Sequence, residues 1–405
     1  MRFCILTQYY PPEIGAPQAR LSELAVFLQK QGHEVTIFTA MPNYPTGKLF
    51  DGYGGFYRRE YIDGVNIIRS YIFPSKSIKL ISRLWNYFSF VLSSLVIGIF
   101  VLPKCDVFMT ESPPLFLGIS GFILSRVKGA KWIFNVSDLW PESAVNLGII
   151  GNGIPLKLSK RLEAFFYKKS WLVTGQSREI VQNIRGRFPQ VESYRLSNGV
   201  DVEKFDPRQQ SDILQQWSVG KKMTVVYAGL HGIAQGLDQI IKAAVKLDKT
   251  VPELQIILIG DGPEKTQLAD LAKQLNISNI TFVNSQKKEK MPEIWASTDI
   301  ALISLKQYIP GAVPSKLYEA MASGVPVLII AEGEPAGIVN NSKCGIAVQP
   351  NDIYGITGAI QTLVENRELR KDMGKSGLLE VKNNFNRQDI LNRFHKYVED
   401  KIVYN

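Results

Sequence analysis

Apolar and polar positions along the chain follow two alternating rhythms. Short runs of apolar and β-branched residues, too brief for helices, recur between longer stretches whose apolar residues return every three to four positions. In the first half the short runs predict strands at 3–7, 34–39, 106–110, 132–136, 171–174 and 193–196, with a hairpin over 61–68 turning at Asp63-Gly64. In the second half they predict strands at 224–227, 255–259, 280–283, 300–303, 325–329 and 345–348. Strands alternating with helices imply an α/β chain of two doubly wound parallel sheets. Between the halves, SNGVDVEKFDP (197–207) is polar and bears Gly and Pro, and reads as a hinge. The domains are accordingly 1–197 and 198–385. Ligands of such sheets sit at the carboxyl ends of strands, so two facing sheets make a cleft and the loops leaving strands are where chemistry is sought.

The 405 residues are too many for one core and suit two domains. With 45% hydrophobic and 21% charged residues and no repeat, the chain is globular. Cys4, Cys105 and Cys344 lie far apart in or beside apolar runs, as reduced core residues of a cytoplasmic protein do. MRFCILTQYY has the pattern of a first strand and not of a signal peptide. The net charge of +10 is unevenly placed. Residues 48–104 carry eight Lys/Arg against three Asp/Glu, and 155–187 carry eight against two. Beside the first patch, 87–102 (YFSFVLSSLVIGIFVL) is apolar for sixteen residues, short of a span and interrupted by three serines. A helix lying on an anionic membrane surface, preceded by Lys76, Lys79 and Arg83, suits this pattern; a helix buried between layers is the other reading. Nucleic acid is not expected as a partner, because no aromatic and basic interleaving accompanies the charge.

Several strand exits carry candidate chemistry. In PGAVPSKLYEAMASGVPVL (310–328), Pro314 blocks helix before it, Ser315 is a suitable N-cap, and Lys316 and Glu319 fall one turn apart on one face. Such a helix start offers N–H groups and a charge to a phosphate, while Glu319 can accept two ribose hydroxyls. In TVVYAGLHGIAQGLDQII, Gly229 and Gly232 flank His231, and in LIGDGPEK, Gly260 and Gly262 repeat the device; both loops could lay backbone N–H groups along a diphosphate. After the first strand, YYPPEIGAPQAR places Gly15 and Arg20 in either a phosphate-facing loop or a rigid turn with a surface arginine. In FNVSDLWPES, Asp138 ends a strand, followed by Trp140 and Glu142; Asp138 either orients a hydroxyl or caps the next helix. Of the three histidines, His33 precedes a strand and His395 lies in the tail, which leaves little for a metal site and makes His231 the one of interest.

Taken together, these motifs, with TESPPLFLGISG and SNGVD, resemble the family-4 retaining glycosyltransferases of GT-B fold, within the WbuB/WcaI-like branch of bacterial surface-polysaccharide transferases. The resemblance covers nearly the whole chain. It implies two Rossmann-like domains, with a nucleotide-sugar in the second, a polyprenyl-diphosphate-linked saccharide acceptor at the first, and the tail 386–405 as the crossover helix that returns to the first domain. Glu319 would hold the ribose, Ser315 and Lys316 the phosphates, Gly15 the diphosphate, and the strand exit from Asn284 to Gln286 the base, UDP being favoured over GDP. Asp138 and His231 would face the transferred sugar. The donor set is therefore Gly15, Arg20, Gly229, Gly232, Gln235, Gly260, Gly262, Gln286, Ser315, Lys316 and Glu319, the acceptor set Asp138, Trp140 and Glu142, and the catalytic set Asp138, His231 and Lys316.

The chain departs from the wider family at four places. Leu230 and Gln235 stand where many members have Arg and Lys, Gly311 where a Glu is usual, and Ser137 where a His is usual. Lys316, with Arg20 as a candidate helper, is then expected to carry most of the phosphate charge. No cofactor and no catalytic metal is expected, since no Asp-x-Asp pair is poised for one. The resemblance implies a cytoplasmic enzyme peripheral on the inner face of the cell membrane. Two alternatives stay open: a GT-B sugar-nucleotide epimerase, and a non-catalytic nucleotide-binding membrane scaffold.

Overall fold

The computed structural model describes residues 1–13, 15–44, 46–75, 80–146, 151, 153–218, 220 and 223–403. Lys76 and Lys79, and the side chain of Arg83, lie outside the described residues. The chain divides into two units, the first 1–197 with 391–405, the second 198–390. The boundary on the return path falls inside the helix Arg387–Val403, whose first turn belongs to the second unit.

The first unit is built on an eight-stranded sheet. Its strands are β1 (Arg2–Leu6), β2 (Glu34–Ala40), β3 (Tyr57–Ile62), β4 (Val65–Ser70), β5 (Val107–Ser112), β6 (Lys131–Val136), β7 (Leu172–Gly175) and β8 (Ser193–Arg195). They lie in the order β3-β4-β2-β1-β5-β6-β7-β8 and are parallel except for the β3–β4 hairpin. That hairpin begins four residues before the predicted one, because Tyr57, Arg58 and Arg59 pair with β4 although their side chains face water. Its turn is the predicted Asp63-Gly64, both at positive φ.

The second unit holds β9 (Met223–Ala228), β10 (Leu254–Ile259), β11 (Ile280–Val283), β12 (Ile300–Ser304), β13 (Val327–Ile330) and β14 (Gly345–Val348), all parallel, in the order β11-β10-β9-β12-β13-β14. Both faces are covered. Ile257, Trp295 and Met321 belong to the core on one side; Ile256, Ile240 and Leu247 belong to the core on the other. This two-sided burial is why the strands read as unbroken apolar runs, each fully buried Ile or Leu contributing roughly 2 kcal/mol. Strand order reverses at β1/β5 in one sheet and at β9/β12 in the other, where doubly wound folds open a crevice at the strand carboxyl ends.

Within the second unit the two chain segments at its margins are stitched together. Arg387 donates from Nε to Asn198 O at 2.8 Å and from Nη2 to Gly199 O at 2.7 Å. Gly199 has φ +56, and a Cβ there would press on Phe385 O, so only glycine lets the two backbones approach.

Candidate active site

At the β9/β12 switch point the second unit gathers most of the predicted donor residues. The loops leaving β9 and β12 are joined by Lys306 N–H donating to Ala234 O at 2.9 Å, and the β12 loop leads into the helix Ser315–Ala322. Pro314, and not Ser315, is the N-cap, and no side chain caps the helix end. Pro314 holds extended φ and ψ, which moves Ser315 into the first helical position, where its N–H has no carbonyl one turn back.

Lys316 turns back over the β9 exit. Its Nζ lies 4.0 Å from the centre of the Tyr227 ring, and a Cβ on Gly229 would collide with it. Burial lowers the ammonium to a pKa of about 8, with Glu319 pulling the other way. Glu319 stands one turn further on and accepts from Trp295 Nε1 at 3.1 Å. Burial raises its carboxyl, while the Trp295 bond, Arg387, Lys316 and Lys288 oppose the rise. The pair therefore shares one helix face as spacing predicted, but each member has a neighbour that spacing did not reveal. Tyr227 and Trp295 lie in apolar elements without alternation, so no periodic signal marked either as part of the site.

The glycine loops serve a different end from the one expected. Gly260 and Gly262 take φ near +150, and a Cβ on either would overlap Gly229 O or His231 O. Their bareness lets the β9 and β10 exits pack backbone on backbone: Gly229 N–H donates to Ile259 O at 2.9 Å and His231 N–H to Asp261 O at 2.8 Å. His231 is thereby turned inward and fully buried between Tyr227 and Phe282, where the Ile259 backbone is the one polar group that favours its charged form by hydrogen bonding. Burial, with Lys265 and Lys316, drives its pKa to about 4, so the ring is neutral. An imidazole in that position cannot face a sugar, which corrects its catalytic assignment; it supports the loops. Leu230 and Ile233 are exposed at the loop tip. Gly232 is extended, φ −127, and needs no glycine for its conformation. Gln235 is half-buried with its Oε1 unpartnered. Gln286 folds on its own loop, donating to Asn284 O at 3.0 Å, and Asn284 Oδ1 accepts from Lys265 at 2.6 Å.

In the first unit, Arg20 is not a free phosphate grip. It is buried beneath the carboxyl ends of β5 and β6, where Nη2 pairs with Glu111 Oε1 at 2.5 Å and donates to Ser137 Oγ at 2.7 Å, and Nη1 donates to Gln176 Oε1 at 2.6 Å. Glu111, which lies in TESPPLFLGISG but was given no role there, also accepts from Asn135 at 2.5 Å and from Ser137 Oγ. A buried carboxylate without a partner is costly, so Glu111 captures the nearest guanidinium. Asp138 sits half-buried above this network, its carboxyl raised first by burial and then by Glu111, with Arg20 opposing. Gly15 has φ 172, extended backbone open to any residue, and begins the helix Ala16–Lys30.

The predicted acceptor residues diverge from Asp138. Trp140 packs edge-on against Phe116, 5.8 Å between ring centres. Glu142 faces Arg187 at 3.6 Å, a guanidinium already bound to buried Glu163 at 2.5 Å. Sequence reasoning also passed over Glu13, which is buried and accepts from the N–H groups of Asn43 and Tyr44, each at 2.8 Å, tying the β1 and β2 exits together.

Residues 15–199 match the glycosyl transferase 4-like domain, and residues 209–379 match the glycosyl transferases group 1 family. The chain is 27% identical over 386 residues to the putative colanic acid biosynthesis glycosyl transferase WcaI of Escherichia coli K12, covering 89% of this chain and 91% of that one. Among solved structures it is similar to sucrose-phosphate synthase from Thermosynechococcus elongatus, with TM-score 0.80, 17% identity and all of both chains covered. It is likewise similar to Anabaena HepE in complex with UDP and glucose, with TM-score 0.73, 15% identity, and 99% and 100% of the two chains covered.

Proposed function

This chain belongs to the group 1 glycosyltransferases of GT-B fold, and we propose that it is a retaining enzyme that moves a sugar from a nucleotide-sugar, UDP-sugar favoured, to a lipid-linked saccharide in bacterial surface-polysaccharide assembly. The observation that carries this reading is the Lys316–Glu319 pair on one helix face, at the β9/β12 switch point, with a half-buried ammonium over the bare backbone of Gly229. That arrangement fits a diphosphate and a ribose. The UDP bound by HepE and the colanic acid role in the name of WcaI support the donor and the pathway class.

In the proposed reaction the bond from the anomeric carbon to the diphosphate breaks as the acceptor hydroxyl attacks from the same face. The leaving diphosphate takes the acceptor's proton. Lys316 and the N–H groups at the start of the Ser315–Ala322 helix stabilise the charge that grows on the departing oxygen. Glu319 accepts the ribose hydroxyls, and Asp138 orients the acceptor hydroxyl. Arg20 and His231 act by holding other groups in place. The test is release of nucleoside diphosphate from UDP- and GDP-sugars with a polyprenyl-diphosphate saccharide. Acceptor-dependent release supports transfer; conversion of the sugar without acceptor supports an epimerase; neither supports a scaffold.

The acceptor class draws on the surface of the first unit. The helix Leu80–Val101 is longer than the sixteen-residue run suggested, because it extends back through Ser82 and Asn86. Among the described residues it is the one helix whose length and hydropathy, over 84–101, suffice for a span. Phe90, Val91 and Ser94 are buried against the unit, Ser94 Oγ donating to Ser120 Oγ at 2.9 Å, while Trp85, Leu92, Val96 and Phe100 are exposed. The helix Ile154–Lys169 exposes Ile154 and Leu158 beside Lys157, Lys160 and Arg161. An apolar face with adjacent cations suits peripheral attachment to anionic lipid from the cytoplasmic side. Flotation with anionic but not neutral vesicles, lost on charge reversal of Lys157, Lys160 and Arg161, is the expected result; equal flotation on both lipids refutes it.

A further inference from the structure

The fold closes a cluster that the sequence holds apart by 362 positions. His33 precedes β2, and His395 and Glu399 lie four residues apart on one face of the helix Arg387–Val403. The two Nε2 atoms approach to 2.6 Å, and Glu399 Oε1 lies 3.3 Å from His395 Nε2 and 3.9 Å from His33 Nε2. One ligand atom from each thus falls within 4.8 Å of the others. The imidazoles are nearly buried, 8% and 14% exposed, and are walled by Phe3 and Phe27; Glu399 is 44% exposed and leaves a way in.

We propose that His33, His395 and Glu399 form a binding site for a divalent transition-metal ion of the zinc class, one that pins the C-terminal helix to the first unit. Two imidazoles and a carboxylate are a donor set this class accepts, with water completing the shell. The fit needs little movement. Zinc–nitrogen bonds of ~2.0–2.1 Å at a tetrahedral angle set the nitrogens ~3.4 Å apart, so the rings must spread by less than about 1 Å. The carboxylate already lies at about that spacing from His395. Burial, the Met1 amine and His395 lower the His33 pKa, and Glu399 opposes them. Met1 N lies 3.1 Å from His33 Nδ1.

The site is separate from the proposed transfer chemistry. It lies at the amino end of β2, whereas Asp138 follows the carboxyl end of β6 in the same sheet, whose strands β2, β1, β5 and β6 are all parallel. Its role is structural, since an ion held by the folded chain and not by the unfolded one stabilises the fold.

The experiment uses the untagged full chain, stripped with chelator and titrated with Zn²⁺ by calorimetry and with Co²⁺ by visible absorption, Mg²⁺ serving as control. The expected result is one saturable Zn²⁺ per chain, a Co²⁺ spectrum of low-symmetry nitrogen and oxygen ligation, and a thermal midpoint that rises with Zn²⁺ but not Mg²⁺. His395→Gln and His33→Gln should each weaken binding by at least about tenfold, and Glu399→Gln by less. Melting of each variant without metal separates loss of ligand from loss of fold. The proposal is overturned if the wild-type chain takes up no Zn²⁺ saturably. Uptake that is unchanged in the folded double histidine variant overturns it equally.

Discussion

Replacing Lys316 by Ala removes the charge that the proposed mechanism relies on most. Its Nζ sits half-buried above Gly229 and 4.0 Å from the Tyr227 ring centre, aimed by the first turn of a helix and not by a flexible loop. Two unit charges about 4 Å apart at an effective dielectric near 20 attract by ~4 kcal/mol. The helix N–H groups remain in the variant and recover part of this, leaving roughly 3 kcal/mol, or on the order of 10²-fold in kcat. Lys316→Arg restores the charge but not the shape, because a planar guanidinium cannot occupy the compact seat over Gly229. The pH dependence gives an independent reading. In the free enzyme Lys316 loses its proton near pH 8, so kcat/KM for the donor falls above that pH in the wild type. In the arginine variant this limb moves to higher pH. The folding linkage runs the opposite way: the folded pKa of about 8 lies below the ordinary 10.5, the unfolded chain binds more protons between them, and stability of the free protein rises with pH across that window. The assay is single-turnover transfer with purified, melt-checked variants. Turnover of Lys316→Ala equal to wild type would remove Lys316 from the mechanism.

Three further predictions test the corrections. Arg20→Ala strands the buried Glu111 carboxylate and should cost ~3–5 kcal/mol in denaturant unfolding, whereas Arg20→Ala with Glu111→Gln should recover part of it; a variant of normal stability but raised donor KM would return Arg20 to phosphate binding. Gly260→Ala drives a Cβ into Gly229 O at a φ of +151, so the chain should lose soluble yield or donor affinity, measured by nucleotide titration; wild-type affinity would show that the loops need not touch. His231→Phe removes two buried ring nitrogens but adds volume to a closed site, so a folded variant should keep turnover with thermal stability little changed; loss of transfer in a folded variant would restore a chemical role to the imidazole.

The two sheets were legible because strands buried on both faces must be apolar throughout, and the predicted runs at 255–259 and 300–303 fall within one residue of the buried strands β10 and β12. The same local logic found the Lys316–Glu319 pair, since residues three apart on a helix share a face. Side chains that must choose among distant partners were not legible. Arg20 reads as free until β5 brings Glu111 beside it, and Glu142 reads as an acceptor group until Arg187 arrives from another helix.

What the sequence determined by itself was periodicity, loop position and residue chemistry, all of which are set within a few neighbours. What only the tertiary structure decided was direction and pairing. His231 points inward because two glycine loops close over it, and Pro314 displaces Ser315 from the cap because the preceding loop reaches it extended. His33 and His395, dismissed as isolated along the chain, end 2.6 Å apart. Burial and charge compensation act through space, where separation along the chain carries no cost once the fold has closed the loop.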